Sequence, residues 1–323
     1  MGSKKTEHAQ RNEGIAFNTA YFDAININKS AVERRAATLP NRRTVKKEWQ
    51  AAWLLKAISC MDLTTLAGDD TKGNVTRLCA KARSPVRPDL LEAMGMADAN
   101  IHTGAVCVYH NLIPFAKEAL EGCNIPIAAV STGFPAGKIT FEEKLREIEL
   151  SVAAGATEID IVISRDLVIE SKWKELYDEV AACRKACGEA HMKTILATGE
   201  IPTYTKVAKA SWVSMMAGSD FIKTSTGKES VNATLPVSLV MIRAIRAYHE
   251  LTGFKVGFKP AGGIQKAKQA LDWLILIKEE LGDEWLDPAL FRFGASSLLA
   301  DIERQLEHFV TGRYSAGYRH PMA

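Results

Sequence analysis

The sequence predicts a single (β/α)8 TIM barrel preceded by a helical N-terminal extension. Two observations carry that reading. From about Lys46 onward, short β-branched apolar runs alternate with longer amphipathic stretches, which is the pattern of βαβ units laid into a parallel sheet. Eight such runs occur, at 57–63, 105–109, 127–131, 158–164, 192–197, 220–224, 255–259 and 290–294, and eight units favour a closed barrel over an open doubly wound sheet. The length of 323 residues fits one barrel of about 250 residues with extensions.

The intervening segments have helical spacing. FEEKLREIELSVAAG, SKWKELYDEVAACRKACG, YTKVAKASWVSMMAG and LPVSLVMIRAIRAYHELTG each end in the glycine expected just past a helix C-terminus. Residues 1–50 break this rhythm and are expected to form the extension. Its first dozen residues are expected to be disordered, with the helix RTVKKEWQAAWLLKA leading into the first strand. The barrel is expected over 51–312 and a tail over 313–323. The chain shows no internal repeat beyond the βα period and no low-complexity linker.

Composition excludes several function classes. Lys plus Arg number 41 against 38 for Asp plus Glu, and a net charge of +3 gives no general attraction to nucleic acid or to a membrane surface. The cluster Arg42, Arg43, Lys46 and Lys47 reads as a solvated helix start. An anionic small substrate therefore needs a local site. The charged segment MGSKKTEHAQRNEG contains no apolar run, and no other stretch approaches the roughly 20 apolar residues of a membrane span, so a cytoplasmic protein is expected. Six scattered cysteines suit reduced thiols rather than a disulfide framework. Cys183, Cys187 and His191 are spaced like a metal-binding helix face, but Gly188 interrupts that helix. No metal and no cofactor are expected.

Barrel chemistry sits at the C-terminal ends of the strands. Two expected strands end in lysine: DFIKTSTGKES with Lys223 and KVGFKPAGGI with Lys259. A lysine inside an apolar strand is costly unless it is neutral, paired or functional. Period-2 alternation puts Lys223 on the face of Phe221 and Lys259 on the face of Gly257, and strands lie about 4.8 Å apart, so the two amines can share one pocket. A lysine must be neutral to attack an aldehyde. A second ammonium about 5 Å away contributes about 3 kcal/mol at an effective dielectric near 20, roughly two pKa units, and burial adds to it. That is how a lysine becomes a Schiff-base former. Asp160, set between Ile159 and Ile161 in EIDIVIS, can pair with these lysines or relay protons. Lys193 in MKTILATGE can add to the same cationic pocket.

Barrels often bind phosphate after strands 7 and 8, through backbone N–H groups and a helix N-terminus. Here the seventh run leads into Gly262 and Gly263, and the eighth into Ser296 and Ser297. Glycines let the backbone approach an anion, and serines add donors. The STGK stretch is not a P-loop, because Ile222 stands where its first glycine belongs and Glu229 follows Lys228.

With these residues in place, the sequence resembles the deoxyribose-phosphate aldolase family from about Ser59 to Arg313. The most specific matches are MDLTTL at 61–66, GFPAG at 133–137, DFIKTSTGK at 220–228, GFKPAGGI at 257–264 and FGASSLL at 293–299. The resemblance implies a metal-free class I aldolase with Lys223 as the Schiff-base lysine, and Lys259 and Asp160 in proton transfer and pKa tuning. It implies substrate and phosphate contacts at Thr226, Gly227, Lys228, Gly262, Gly263, Ser296 and Ser297. Asp62 and Cys107 are implied to lie near the substrate, Cys107 as a bystander thiol; Lys193 joins the candidate substrate contacts from its place in the strand pattern alone. It also favours a homodimer acting on a small sugar phosphate.

The chain departs from the compact bacterial pattern in its extension, in an insertion over 89–101, and in CVYH, where His110 replaces the usual proline. The first two are features of eukaryotic-type members. Bacterial members can place a C-terminal tyrosine over the site, whereas Tyr318 here lies five residues from the end. Other Schiff-base barrels, such as a transaldolase or a sugar-bisphosphate aldolase, share strand-end lysines but not KTSTGK together with KPAGG. A non-catalytic sugar-phosphate-binding barrel requires loss of a catalytic residue, and Asp160, Lys223 and Lys259 are all present.

Overall fold

In the computed structural model, which describes residues 11–320, eight parallel strands follow one another around a ring. They are β1 (Met61–Thr64), β2 (Ala105–Tyr109), β3 (Ile127–Ser131), β4 (Glu158–Val162), β5 (His191–Ile195), β6 (Phe221–Lys223), β7 (Gly257–Lys259) and β8 (Phe293–Ala295). Each pairs with the next from β1 to β7, and β1 also pairs with β8. The bridges Phe258 to Phe291 and Ala261 to Gly294 join β7 to the β8 segment, closing the (β/α)8 barrel.

β2 and β3 have the expected bounds, and the other six strands are shorter. The largest difference is at β1. Residues 57–59 end the helix Lys47–Ser59, and Ala57 and Ile58 are buried on its inner face. A short apolar run serves a buried helix turn as well as a strand, so periodicity alone did not divide them. The boundary expected at residue 50 falls inside this helix.

Local sequence sets the helix ends. Thr140 and Glu143 form a reciprocal capping box at Phe141–Ala154, and Gly155 closes that helix with φ of 112°, a left-handed conformation that suits glycine. Arg42 and Arg43 pair with Glu279. The 89–101 insertion forms most of the short helix Pro88–Ala93 and the turn Ala97–Ala99, and it packs against Ser297–Thr311.

The chain ends are held by polar contacts. Disorder was expected over the first dozen residues. Residues 1–10 lie outside the described part, but Asn12 is buried, which corrects that expectation at its edge. Its amide donates to the carbonyls of Met215 and Ser219 at 2.7 and 2.9 Å, and its Oδ1 accepts from the Tyr248 hydroxyl at 3.0 Å. Its backbone N–H reaches Asp220, the residue before β6. At the other end His320 is buried between Glu303 and Glu307.

Asn12→Ala strips partners from two carbonyls and a hydroxyl at a buried site. It should lower unfolding stability by about 2–3 kcal/mol, since each orphaned buried group costs about 1–3 kcal/mol before relaxation. Denaturant unfolding checks this, and a loss below about 0.5 kcal/mol would mean that the segment is not pinned there.

Candidate active site

Alternation along the strands turns Asp62, Glu158, Asp160, Lys193, Lys223 and Lys259 into the barrel interior, where all six are buried. Register aligns Lys223 with Lys259 and Asp160 with Lys193. One step down, Phe221 faces Gly257, where a Cβ would lie 2.4 Å from the Phe221 ring. Glycine at that position is what lets the ring pack beneath the two lysines.

Three ammonium groups converge on one carboxylate. Lys223 Nζ and Lys259 Nζ both donate to Asp160 Oδ2 at 2.8 Å, and Lys193 Nζ donates to Oδ1 at 3.0 Å. Lys193 has a second partner in Glu158, and Lys259 a second in Asp62. Among the described residues, Asp160 is the one carboxylate within ion-pair distance of Lys223.

The charge states follow from that sharing. Burial disfavours every ammonium here. At Lys259 it is outweighed by Asp160 and Asp62, and at Lys193 by Asp160 and Glu158, so both pKa values lie above the ordinary lysine value. At Lys223 burial, reinforced by the charge of Lys259, outweighs the pull of Asp160, and the pKa is lowered. Burial would raise Asp160, but Lys193, Lys223 and Lys259 together hold it well below the usual carboxylate range.

A cavity of about 350 Å³ opens at the C-terminal ends of the strands. Lys223 reaches it from below, and residues 64–67, 226–228, 261–265 and 294–297 form its walls. Of the expected substrate contacts, Thr226, Gly227, Lys228, Gly262, Gly263, Ser296 and Ser297 line this cavity. Asp62, Cys107 and Lys193 do not. Lys193 lies wholly inside the ion network, and Asp62 pairs with Lys259 and Arg292. Cys107 packs with Ala128 and Val130, and burial pushes its thiol pKa up. Asp160 and Lys259 likewise lie beneath the cavity and not in its lining.

On the far wall, Gly262 and Gly263 both have φ of 80°, which bares the backbone toward the cavity. Beside them, after the neighbouring strand, begins the helix Ser297–Thr311, whose N-cap residue Ser296 makes no side-chain capping bond. Its leading N–H groups and the positive end of its dipole suit an anion.

Three charged residues that the sequence reading did not single out complete the site. Arg292 donates from Nη1 to Asp62 and from Nη2 to Glu158, the latter at 2.9 Å. Glu158 stands two residues before Asp160, so the same alternation placed it in the interior. Arg292 sits between Phe291 and Phe293, a buried charge of the kind that singled out Asp160. Glu229 accepts from Thr226 N, Thr226 Oγ1 and Gly227 N at 2.8–3.1 Å, fixing the loop after β6. Its signal was the Thr-x-x-Glu spacing of a capping box. Among the described residues no group of three or more His, Cys, Asp or Glu is arranged to hold a metal ion. Cys183 and Cys187 are buried thiols, and burial pushes Cys187 up to about 12.

The profile of the DeoC/LacD family aldolases matches residues 56–303. A deoxyribose-phosphate aldolase of Bos taurus is 61% identical over 96% of this chain and 98% of its own length. Its Homo sapiens counterpart is 60% identical over 97% and 99%. The fold of a deoxyribose phosphate aldolase from Aeropyrum pernix, 22% identical, superposes with a TM-score of 0.56 over 87% of this chain and 99% of that one. With a barrel closed around a shared-carboxylate lysine cluster and a family match across most of its length, the chain belongs to the DeoC/LacD aldolase family.

Proposed function

We propose that this chain reversibly cleaves 2-deoxy-D-ribose 5-phosphate to D-glyceraldehyde 3-phosphate and acetaldehyde through an imine on Lys223, in deoxyribonucleotide catabolism. The observation that carries this reading is that one lysine of three has a lowered pKa, and it is the one that lines the cavity. In the cleavage direction Lys223 Nζ adds to C1 of the open-chain sugar, and loss of water gives the protonated imine. That imine accepts the electron pair as the C2–C3 bond breaks, while the C3 hydroxyl passes its proton through water to Asp160 and becomes the aldehyde of glyceraldehyde 3-phosphate. The remaining enamine takes a proton at C2, and hydrolysis of the imine frees acetaldehyde.

Lys259 and Asp160 supply the proton traffic. Lys259 is held protonated, so it enters as a donor, and Asp160 Oδ2 bridges its ammonium and Nζ of Lys223. A proton can pass between the two amines without bulk water. The phosphate is assigned to Gly262, Gly263, Ser296 and Ser297, with Lys228 at the rim. The proposal includes a cytoplasmic homodimer with no cofactor and no nucleic-acid or membrane partner. Six free cysteines fit a reducing compartment, and among the described residues no helix is long and apolar enough to cross a membrane.

Borohydride added with acetaldehyde should leave an ethyl group on Lys223, located by peptide mapping. A label on Lys259 or Lys193 would overturn the assignment. For the phosphate site, Gly263→Val places a strained side chain where the backbone is now bare. It should reduce kcat/KM for the phosphorylated sugar by about 2–3 kcal/mol more than for unphosphorylated deoxyribose, the scale of one or two charge-assisted hydrogen bonds. Equal losses on both substrates, with the fold intact, would place the phosphate elsewhere.

A further inference from the structure

We propose that Arg292, which does not line the cavity above Lys223, is the positioning residue that makes Lys223 the reactive amine, by taking part of the negative charge that the three lysines would otherwise share. The inference rests on the reading of Lys223 as the imine former and extends it to the far end of the barrel.

Arg292 lies just before β8, at the N-terminal face of the barrel. It lines a second cavity, about 400 Å³, formed by residues that precede β1, β2, β3 and β8, among them Ser59, Gly104 and Pro126. It is nevertheless nearly buried, and its guanidinium points up the barrel axis to Asp62 and Glu158. Those two carboxylates also serve Lys259 and Lys193.

Asp62, Glu158 and Asp160 face Lys193, Lys223, Lys259 and Arg292, which is three anions against four cations in a water-poor interior. Without the arginine, three carboxylates would match three lysines and each amine could stay charged. With it, the lysines are one counter-charge short. The shortage falls on Lys223, because Lys193 and Lys259 each have a second carboxylate. The remaining titratable neighbours are few. The Cys107 thiol faces Lys223, and the Cys60 thiol, Lys56, His102 and Asp287 lie at the outer end near Arg292.

The test follows the pH dependence of imine formation, read as the rate of borohydride-trapped acetaldehyde adduct on Lys223 in the full chain. Arg292→Met should move the midpoint upward by about one pH unit, the scale on which one buried neighbouring charge shifts a lysine. That is about a tenfold smaller neutral fraction of Lys223 at a given lower pH. Arg292→Lys should keep the original midpoint. Glu158→Gln removes an anion instead and should move it downward. The double variant Arg292→Met/Glu158→Gln, which removes one charge of each sign, should return it close to the original value. A purely structural role predicts lower yields with an unmoved midpoint, and that result would overturn the proposal. If Arg292→Met does not fold, Glu158→Gln and the double variant decide: an unmoved or upward midpoint in Glu158→Gln, or a double variant that does not return, contradicts it. Labelling of a lysine other than Lys223 in the unaltered chain would count against the underlying function instead.

Discussion

The organisation of this protein depends on the unequal sharing of a few buried carboxylates among a larger number of buried cations. Moving a charge out of water is costly, and a buried ion pair gives weak evidence for stability. A network of seven charged side chains along a barrel axis therefore calls for a chemical explanation. Burial alone would push all three lysines toward the neutral form. Only Lys223 goes that way, because it depends on an Asp160 that two other ammonium groups also bind.

The barrel makes such sharing possible. Strands about 4.8 Å apart bring side chains from neighbouring strands within reach of one carboxylate, and closure lets β1 and β8 complete the circle from the other side. Helices on the outside exclude water, and the loops at the C-terminal ends leave an opening above Lys223. The glycines have a different purpose. At Gly262 and Gly263, on the rim, positive φ keeps the backbone bare, and at Gly257, inside the barrel, the missing side chain makes room for Phe221 beneath Lys223 and Lys259.

Much of this was legible in the sequence, because it rests on periodicity. The pairing of Lys223 with Lys259 follows from two-residue alternation on adjacent strands, and the turns at Gly262 and Ser296 follow from where the seventh and eighth runs end. What the sequence left hidden depends on depth and on partners across the barrel. Lys193 has the pattern of a cavity residue, yet it lies in the interior with Glu158 and Asp160. Arg292 has one neighbour in sequence space that matters, β8, and two in real space, on β1 and β4. Ala57 and Ile58 are apolar for the sake of a helix turn, and single-chain periodicity does not separate that from a strand.

The central claim is that Lys223 carries the deficit of negative charge. A lysine side-chain NMR titration, with isotope-labelled lysine and resonances assigned by single Lys→Arg replacements, reads the charge on each amine directly. As pH rises, Lys223 should lose its proton first, below the ordinary lysine pKa of about 10.4, while Lys193 and Lys259 stay protonated above it. If Lys259 or Lys193 deprotonated before Lys223, or if all three titrated together near the ordinary value, this account of the site would be contradicted.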